Sequence, residues 1–406
     1  MSERRRILFV AEAVTLAHVV RPLVLAKALD PAHYEVHFAC AEGYEAFLED
    51  DRFTRWSIHS IPPRRFQEAL RKGTPLYDLN TLQDYLQEDL RVLDTVQPDM
   101  VVGDFRLSLA VSAPLRKIPY TALTNAHWSP YSTKSRAPFP EHPMGKVLGV
   151  TLASALFKAV EPLVFAIHAR PLNRLRKRNG LPPLGGLREI YTTGDYTLYL
   201  DVPGLIPTHD LPPSHRYLGP LLWSPPLPLP AWWQELPNDR PCVYVTLGSS
   251  GAVELLPTVL DAMEELPVSV LVATAGRSDI GPLDGRRWVA DYLPGSEAAR
   301  RADLVISNGG SATTYQALAE GVPVLGIPFN MDQFYTQNAV VEAGAGVLLR
   351  SGQVRKRRLQ KMLQTILASA PYREAAQCVA AEFKRYNTAT NFRAFLNERF
   401  PAPYRD

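Results

Sequence analysis

The sequence predicts an α/β protein made of two Rossmann-like doubly wound domains facing each other across a cleft. Three observations predict this: short apolar runs alternate with helix-like stretches in the first half, the alternation restarts in the second half, and a proline-rich stretch separates the halves. Strand–helix alternation of this kind is typical of parallel sheets covered by helices. A chain of 406 residues suits two domains of about 200 residues each.

The junction between the halves lies in residues 202–241, where proline recurs throughout. Proline fixes φ and lacks a backbone donor, so neither a helix interior nor a central strand is expected there. We predict a semi-rigid extended connection instead. The predicted organisation is a first domain at 1–220, a linker at 221–240, a second domain at 241–385 and a C-terminal helix at 386–406.

Apolar periodicity predicts the elements within each half. In the first half the predicted strands are 7–10, 34–39, 100–103 and 120–123, and the predicted helices are 21–29 and 79–96. In the second half the strands are 243–247, 268–273, 288–290, 304–306 and 322–327, and the helical tracts are 254–266 and 372–400. Ligands of open α/β sheets bind beyond the carboxyl ends of the strands, so the loops that follow the strands are the places to search.

Charge and cysteine content limit the function classes. A net charge of +3 gives no support for nucleic-acid binding, and the basic clusters at 4–6 and 174–178 are interpreted as solvated surface. Cys40, Cys242 and Cys378 follow no metal-binding spacing. Since Cys40 and Cys242 lie in or beside apolar strands, we expect buried free thiols in a reducing compartment.

Two features of the sequence argue against a membrane protein. The N-terminal apolar run is short and strand-like, which does not fit a signal peptide. No run of about 18 uninterrupted apolar residues occurs, so no transmembrane helix is expected. These features favour a cytoplasmic protein.

The most informative segment is 307–333, where a small-residue loop joins a predicted strand to a helix. The loop residues are Asn308, Gly309, Gly310, Ser311, Ala312, Thr313 and Thr314. Free N–H groups and the positive end of the helix dipole would favour a phosphate at such a loop. Taken alone, the Gly-Gly pair is better explained by a tight turn between strand and helix.

This segment resembles the nucleotide-sugar signature of GT-B glycosyltransferases of the UDP-glycosyltransferase type, which include bacterial natural-product enzymes. The residues that match in order and spacing are Gly310, Thr313, Thr314, Gly321, Val322, Pro323, Asp332 and Gln333. Two positions depart from the family pattern: Asn308 replaces the His that contacts a donor phosphate, and Gln316 replaces the Glu that holds the ribose hydroxyls. Both amides form hydrogen bonds but carry no charge, which affects donor identity and catalytic strength rather than the fold.

The resemblance extends to the first half. His18, followed by Pro22, resembles the family's Gly-His-x-x-x-Pro pattern, with Ala17 in place of the Gly. It implies that His18 is the general base that deprotonates the acceptor, a task for which imidazole is suited at neutral pH. Asp104, at the end of the strand predicted at 100–103, is the implied orienting carboxylate. The alternatives are a capping or surface role for His18 and a helix N-cap role for Asp104.

Further donor-binding positions are implied by the same resemblance. They are Gly248, Ser249 and Ser250 near the donor phosphates, Tyr292 on the base, Gln316 on the ribose, and Asp332 and Gln333 on the sugar hydroxyls. Gly295 replaces a Gln that is usual in the motif of Tyr292. A simple turn for 248–251 and a helix N-cap for Asp332 stay open. His127 is interpreted as a core or loop histidine, with an acceptor contact as the alternative.

The implied function is an inverting, metal-independent glycosyltransferase. The second domain would bind a UDP- or dTDP-hexose, and the first would bind a small, hydrophobic acceptor. No cofactor other than the nucleotide sugar is expected. No Asp-x-Asp motif for a metal stands out, and a helix dipole can stabilise the departing diphosphate without one. Two rival functions remain: a degenerate, donor-binding auxiliary protein, which Asn308 and Gln316 favour, and a nucleotide-sugar epimerase.

Two regions keep more than one interpretation. Residues 131–187 are rich in apolar side chains followed by basic ones; they fit a packed helix pair, an acceptor pocket or a peripheral membrane contact. The apolar stripe at 392–400 suits a last helix that crosses back to the first domain, as the resemblance implies, or one that packs in the second.

Overall fold

The computed structural model describes residues 4–45, 52–133, 136–248, 251–283 and 285–400. Its backbone divides into two compact units. Unit 1 comprises Met1–Arg136, Leu156–Leu221 and Tyr386–Asp406, and unit 2 comprises Ala137–Ala155 and Leu222–Arg385. Each unit contains one parallel sheet with helical connections, which confirms the predicted fold class of two Rossmann-like α/β domains.

Unit 1 is built on a seven-stranded sheet of order β3-β2-β1-β4-β5-β6-β7. Its strands are β1 (Arg5–Ala11), β2 (Tyr34–Cys40), β3 (Phe53–Ser57), β4 (Met100–Asp104), β5 (Tyr120–Thr124), β6 (Tyr196–Tyr199) and β7 (His215–Tyr217). The helices from the first part of the chain are α1 (Leu16–Lys27), α2 (Pro63–Lys72), α3 (Leu79–Val96), α4 (Leu109–Arg116), α5 (Pro143–Leu148), α6 (Val150–Arg178) and α7 (Leu187–Tyr191). Of these, α5 and the start of α6 fall within the segment that groups with unit 2.

Both faces of the unit 1 sheet are buried. Successive side chains of β1 point to opposite faces of the sheet, and apolar side chains occupy both. Leu8 and Val10 belong to the apolar cluster that includes residues of α3 and α4. Phe9, between them, packs against Phe392 with ring centroids 6.1 Å apart. Phe392 lies on the last helix, α14 (Thr388–Arg399), whose segment groups with unit 1.

The order of the strands reverses beside β1, and this places the loops that carry the site. Strand β1 lies between β2 and β4, and Ala11 at the end of β1 is the register partner of Asp104 at the end of β4. In doubly wound sheets ligands bind at this switch point, beyond the carboxyl ends of the strands. Both the loop before α1 and the loop after β4 leave the sheet there.

Unit 2 repeats the plan with six strands in the order β10-β9-β8-β11-β12-β13. The strands are β8 (Cys242–Thr246), β9 (Ser269–Ala273), β10 (Arg287–Ala290), β11 (Leu304–Ser307), β12 (Val324–Gly326) and β13 (Gly346–Leu348). The helices are α8 (Leu256–Asp261), α9 (Gly295–Arg301), α10 (Ser311–Ala319), α11 (Met331–Glu342), α12 (Lys356–Leu367) and α13 (Ala370–Phe383). Its switch point lies between β8 and β11, where Thr246 and Ser307 are register partners.

Local sequence signals explain the elements that were predicted closely. Helix α3 has the predicted bounds, since Asp78 accepts a hydrogen bond from the Thr81 backbone N–H at 2.8 Å and caps it. At its other end Gln97 adopts a left-handed conformation, with φ of 48°, and ends the helix. A polar cap before the periodic run and a left-handed residue after it fix both ends.

The helix predicted at 21–29 begins earlier, at Leu16, and three other predicted elements differ in kind from the structure. The helix predicted at 254–266 is the short α8 preceded by a 3₁₀ turn, and the single tract at 372–400 is two helices, α13 and α14. The stretch predicted as an extended connection from 202 contains β7, which adds to the edge of the sheet. Proline is tolerated beside an edge strand because only one side of that strand needs hydrogen-bond partners.

Candidate active site

The first site lies at the switch point of unit 1 and joins His18 to Asp104. His18 is in the first turn of α1, and Asp104 is the last residue of β4. The His18 Nδ1 and an Asp104 carboxylate oxygen are 2.7 Å apart. Asp104 is fully buried, whereas the side chain of His18 is 17% exposed. Within the described part of the chain, the second ring nitrogen of His18 has no hydrogen-bond partner.

An arginine that sequence reasoning missed completes this site. Arg21 donates from Nε to one Asp104 oxygen at 2.6 Å and from Nη2 to the other at 2.5 Å. Its Nη1 donates to the Asn125 side-chain oxygen at 2.9 Å, and Asn125 donates in turn to Asp201 at 2.8 Å. The network therefore fixes the orientation of the carboxylate that holds His18.

Ionisation of Asp104 follows from this bidentate contact. Burial raises the pKa of Asp104, but the charge of Arg21 and the hydrogen bonds from His18 and Arg21 outweigh it, so the pKa lies below its ordinary value. Asp104 is thus a carboxylate and accepts a hydrogen bond from His18 Nδ1–H. This fixes the imidazole in the tautomer whose Nε2 lone pair is available to accept a proton.

His18 lies at one end of a chain of aromatic ring contacts. The imidazole stacks on Phe105, with centroids 4.7 Å apart and planes 13° from parallel. Phe105, at φ of 60°, contacts Tyr191 at 5.2 Å and Phe66 at 6.0 Å. Tyr191 in turn meets Trp128 edge-on at 4.8 Å. The base therefore has an apolar neighbour in Phe105, from which the other rings extend.

The second site lies at the switch point of unit 2, in the loop between β11 and α10. Gly309 has φ of 78°, and Gly310 caps the helix. The N–H groups of Gly309 and Gly310 donate to the side chains of Ser307 and Asn308, at 3.0 and 3.1 Å. These two donors, expected to be free, are therefore used within the loop. Asn308 shapes the loop through this turn.

The remaining donors of this loop are those of the first turn of α10. The N–H groups of Ser311, Ala312 and Thr313 have no acceptor within the residues that the structure describes. The first turn contains no acidic residue that would neutralise the positive end of the helix. Thr314 is fully buried, and its hydroxyl has no partner among the described side chains and backbone. This helix start retains the donors that an anion requires.

The loop after β8 packs directly on the loop of Asn308. Gly248 has φ of 60°, and a Cβ on Gly251 would lie 2.9 Å from the Asn308 Cβ and closer still to the Leu247 carbonyl. Arg277, which follows β9, donates to the carbonyl groups of Gly248 and Gly251 at 3.0 and 3.1 Å. The glycines are required by this close approach, and Arg277 holds their loop in place.

Tyr292 follows β10 at the same edge of the sheet and is half exposed. Its hydroxyl donates to the Ala275 carbonyl at 3.3 Å, so the ring is held beside the loop that carries Arg277. Such a ring, fixed at one end and open on its face, provides a surface on which a nucleobase can stack.

Gln316 and Gln333 form hydrogen bonds inside the protein. The Gln316 amide donates to the carbonyl of Trp223 and to the hydroxyl of Ser224. A Cβ on Gly295 would clash with the Gln316 side chain, so the departures from the family pattern at 295 and 316 depend on one another. The Gln316 amide thus fastens the segment 223–224 rather than remaining open to a ligand.

The N-cap of α11 is Asn330, so the alternative interpretation of Asp332 as the cap is wrong. The Asn330 side chain accepts from the Gln333 N–H at 3.0 Å, and Gln333 accepts from the N–H groups of Phe329 and Asn330 at 2.8 and 3.3 Å, which makes a capping box. Asp332 lies in the first turn of α11 and is partly exposed. The box fixes the start of the helix that presents Asp332.

Known proteins are similar in sequence to this chain over nearly its whole length. The chain is 52% identical to the "PGL/p-HBAD biosynthesis rhamnosyltransferase" of Mycobacterium bovis (strain BCG / Pasteur 1173P2) over 385 residues, which are 95% of this chain and 85% of that protein. The chain belongs to the GT-B glycosyltransferases. It is also 49% identical, over 94% of its own length and 90% of the other, to the "PGL/p-HBAD biosynthesis glycosyltransferase" of Mycobacterium tuberculosis (strain ATCC 25177 / H37Ra).

A family description and a solved structure agree with this. Residues 257–392 of the glycosyltransferase match the "Erythromycin biosynthesis protein CIII-like, C-terminal domain". The fold matches that of "Spinosyn Rhamnosyltransferase SpnG complexed with thymidine diphosphate", with a TM-score of 0.70, 20% identity, and coverage of 97% of this chain and all of that one. This enzyme therefore has the fold that the resemblance implied.

The glycosyltransferase gathers most of the predicted residues in two groups. His18 and Asp104 are hydrogen-bonded in unit 1, and the loops of Gly248 and Asn308 adjoin in unit 2. Ser249 and Ser250, also predicted to bind the donor, lie outside the described residues. His127 is buried. Arg277 and Arg21 were not predicted, although Arg21 follows His18 by three residues, a spacing that places both on one helix face.

Replacing Asp104 with asparagine in this glycosyltransferase is expected to lower sugar transfer by up to about 10⁴-fold, since an amide group would face the donors of Arg21 and would no longer hold the His18 tautomer. It also removes an acid-sensitive part of the stability. The folded-state pKa of Asp104 lies below 3.8, so its contribution is fully present above about pH 4 and is lost as the pH falls through that pKa. The difference in unfolding free energy between wild type and variant, measured by denaturant titration, should shrink in acid. A difference that does not change with pH would contradict this account.

Proposed function

We propose that this enzyme is an inverting, metal-independent rhamnosyltransferase that transfers rhamnose from dTDP-rhamnose to an aromatic hydroxyl in PGL/p-HBAD biosynthesis. The observation that carries the proposal is the 2.7 Å contact between His18 and a buried, ionised Asp104, set among aromatic rings. The name of the 52% identical relative supports the choice of rhamnose and of the pathway.

The chemistry would use His18 as a general base. His18 Nε2 takes the proton of the acceptor hydroxyl while that oxygen forms a bond to the anomeric carbon of the donor. The bond from that carbon to the diphosphate breaks in the same step, and dTDP leaves with the electron pair. Because the acceptor attacks opposite the leaving group, the anomeric configuration inverts. Asp104 stabilises the imidazolium that forms.

The aromatic rings around His18 support an aromatic acceptor. Phe105, Tyr191 and Trp128 are partly exposed and lie within one chain of ring contacts that begins at the imidazole. Ring faces and edges favour another aromatic ring in offset or edge-on contact. A phenol also loses its proton more readily than an aliphatic alcohol, which suits a base that works at neutral pH.

The donor would lie on unit 2. The N–H groups of Ser311, Ala312 and Thr313 would bind the diphosphate at the positive end of α10, and the Tyr292 ring would stack on thymine. A helix dipole with fixed N–H donors stabilises a departing diphosphate without a cation. The neighbour SpnG was solved with thymidine diphosphate, which favours dTDP over UDP in this proposal. Transfer should accordingly persist in excess EDTA.

Thermal-shift measurements with dTDP, UDP and GDP test the donor site. We expect dTDP to raise Tm most, with a gain of about 2.7 kcal/mol at 100 times its Kd. Tyr292→Ala should weaken dTDP binding by about 1–3 kcal/mol, the value of one base–aromatic stack. Tyr292→Phe is the matched control, because it loses only the hydrogen bond to Ala275. Equal dTDP affinity in wild type and Tyr292→Ala would contradict the stacking role.

A transfer assay tests the function as a whole. Incubation with dTDP-rhamnose and a simple phenol such as p-hydroxybenzoate methyl ester should yield a rhamnoside whose anomeric configuration, read by NMR, is opposite to that of the donor. Epimerisation of the donor without acceptor would favour the epimerase. Binding of dTDP-sugars with no transfer to any phenol or alcohol would favour the auxiliary protein.

We also propose a cytoplasmic location. Burial raises the pKa of both Cys40 and Cys242 to about 12, which keeps these thiols protonated and unreactive. Buried free thiols of this kind suit a reducing compartment. We expect the protein purified from cytosolic extract to be active and to keep both thiols reduced. The mass of the protein after alkylation under denaturing conditions measures the oxidation state of these thiols.

A further inference from the structure

Helix α6 has two faces of opposite character. One face is buried in the apolar core of unit 1 through Ala169, Leu172 and Leu175, each 1% exposed. The other face carries large apolar side chains that are 40–62% exposed, namely Leu156, Val160, Leu163 and Ile167. Their spacing of four, three and four residues places them in one line along the helix. An apolar line of this length on a protein surface marks an interaction site.

The same line continues into basic residues. Arg170, Arg174 and Arg178 follow at spacings of three, four and four residues, and all three are exposed. We name the seven side chains from Leu156 to Arg178 on this face the α6 stripe. The single acidic residue of the helix, Glu161, is 4% exposed and lies on the buried side. The exposed side of α6 is therefore apolar in its middle and cationic at its end.

This combination selects the occupant. A second protein with an apolar groove would match the leucines but gives no reason for three arginines in line with them. An anionic bilayer supplies both requirements at once, since acyl chains accept the apolar side chains and lipid phosphates accept the arginines. The long side chains of arginine also reach a headgroup layer while their stems stay in apolar surroundings.

The helix lies on such a surface rather than crossing it. By length and hydropathy α6 could span a membrane, because 18 of its residues have a mean hydropathy of 1.7. The sequence prediction missed this helix because it required an uninterrupted apolar run. However, the opposite side of its apolar stretch is buried in the protein through Phe157, Glu161 and Phe165. A bilayer can therefore reach only the exposed side of α6, on which the stripe lies.

We propose that the α6 stripe docks this enzyme on the surface of an anionic membrane. The proposal rests on the arrangement of α6 alone and does not depend on the donor or acceptor assigned above. Membrane binding and sugar transfer to a water-soluble phenol are separate measurements, so failure of one is distinguishable from failure of the other.

Vesicle co-sedimentation tests the proposal with the full chain. We expect binding to vesicles of equimolar phosphatidylcholine and phosphatidylglycerol, and much weaker binding to phosphatidylcholine alone. Raising the salt from about 0.1 M to about 1 M, which shortens the Debye length from about 10 Å to about 3 Å, should weaken binding severalfold. Leu156→Ser/Leu163→Ser and Arg170→Glu/Arg174→Glu should each lower the affinity about tenfold or more.

Matched controls come from exposed residues of unit 2. Leu227→Ser/Leu229→Ser removes two leucines that are each 42% exposed, and Arg357→Glu/Arg358→Glu reverses two exposed arginines on α12. Both controls should bind vesicles as the wild type does, and all variants should keep the wild-type circular dichroism. No binding to anionic vesicles, or equal loss in stripe and control variants, would overturn the proposal. A dimer that only the stripe variants break, without vesicle binding, would assign the face to a second copy and overturn it as well.

Discussion

His18→Ala is expected to lower the rate of sugar transfer about 10²- to 10⁴-fold, the usual value of a positioned general base. The variant loses the imidazole that contacts the Asp104–Arg21 pair and that is proposed to take the acceptor proton. Binding of dTDP is expected to stay at its wild-type affinity, since the proposed donor contacts all lie in unit 2. Transfer to a phenol under saturating donor measures the first effect, and a thermal shift with dTDP measures the second.

The fold should survive this substitution. Asp104 keeps both hydrogen bonds from Arg21 when His18 is removed, so no buried carboxylate is left without a partner. The matched control is His33→Ala. His33 is also paired with an aspartate, Asp30, at 3.2 Å, but the side chain is 54% exposed and lies away from the switch point. Transfer rates that fall equally in His18→Ala and His33→Ala, or that do not fall at all, would refute the assignment of His18 as the base.

Arg106→Ala is expected to lower the free energy of unfolding by about 3–5 kcal/mol, the cost of removing one partner from a buried ion pair. Arg106 is fully buried and contacts Glu12 at 3.1 Å, Glu88 at 3.1 Å and Asp89 at 3.0 Å. Its guanidinium also lies 3.6 Å from the centre of the Tyr85 ring. The alanine variant leaves the buried carboxylates of Glu12 and Asp89 without their cation, while Glu88 keeps its contacts with His59 and Arg91.

The direction of the pKa shifts gives this prediction a pH dependence. Burial raises the pKa of Glu12 and of Asp89 and outweighs the charge of Arg106, which lowers both. Without Arg106 these pKa values rise further, so the folded variant binds protons that its unfolded chain has already released. Its stability should therefore fall as the pH rises above about 4, and the loss relative to wild type should be larger at about pH 7 than at about pH 5.

Denaturant unfolding of the variant at both pH values measures this loss. The control is Arg116→Ala, which breaks an exposed pair with Asp94 and should cost less than about 1 kcal/mol. Adding Glu12→Gln and Asp89→Asn to Arg106→Ala should restore part of the stability, because two of the unpaired charges are then absent. A loss below about 1 kcal/mol for Arg106→Ala, or no recovery in the triple variant, would contradict the electrostatic account.

The Arg106 cluster also matters for the active site. Arg106 follows Asp104 and Phe105 directly and is bound to Glu12, which follows β1, and to Glu88 and Asp89 on α3. The loop after β4 is thereby anchored on two neighbouring elements. This explains how Phe105 is held at a positive φ, a conformation that costs a non-glycine residue about 1–3 kcal/mol.

Some of the site was predictable because it depends on short segments. The position of His18 before a helix, the end of a strand at Asp104 and the loop from Asn308 to Thr314 are all local patterns. The rule that loops meet at the carboxyl edge of a parallel sheet then brings His18 and Asp104 together, although 86 residues separate them. The cap of α3 at Asp78 is local in the same sense, and its bounds were predicted correctly.

Other parts depended on contacts that no local pattern describes. Gln316 binds the carbonyl of Trp223, 93 residues away, so a residue expected at the ribose has a partner inside the protein. Asp104 is shared between His18 and Arg21, and only the packing of α1 on β4 decides that Arg21 reaches it. The exposed line on α6 likewise depends on the fold, because the local pattern does not show which side of this helix is buried.

By itself the sequence determined the alternation of strands and helices, the switch-point loops and the residue types that they carry, because hydrophobic period and turn chemistry act over a few residues. Only the tertiary structure decided which of those polar side chains are used within the protein and which remain open. Hydrogen-bond partners of buried polar groups come from distant segments, and burial makes each unmet partner costly. The identity of those partners is therefore fixed by the packed fold rather than by neighbours in the chain.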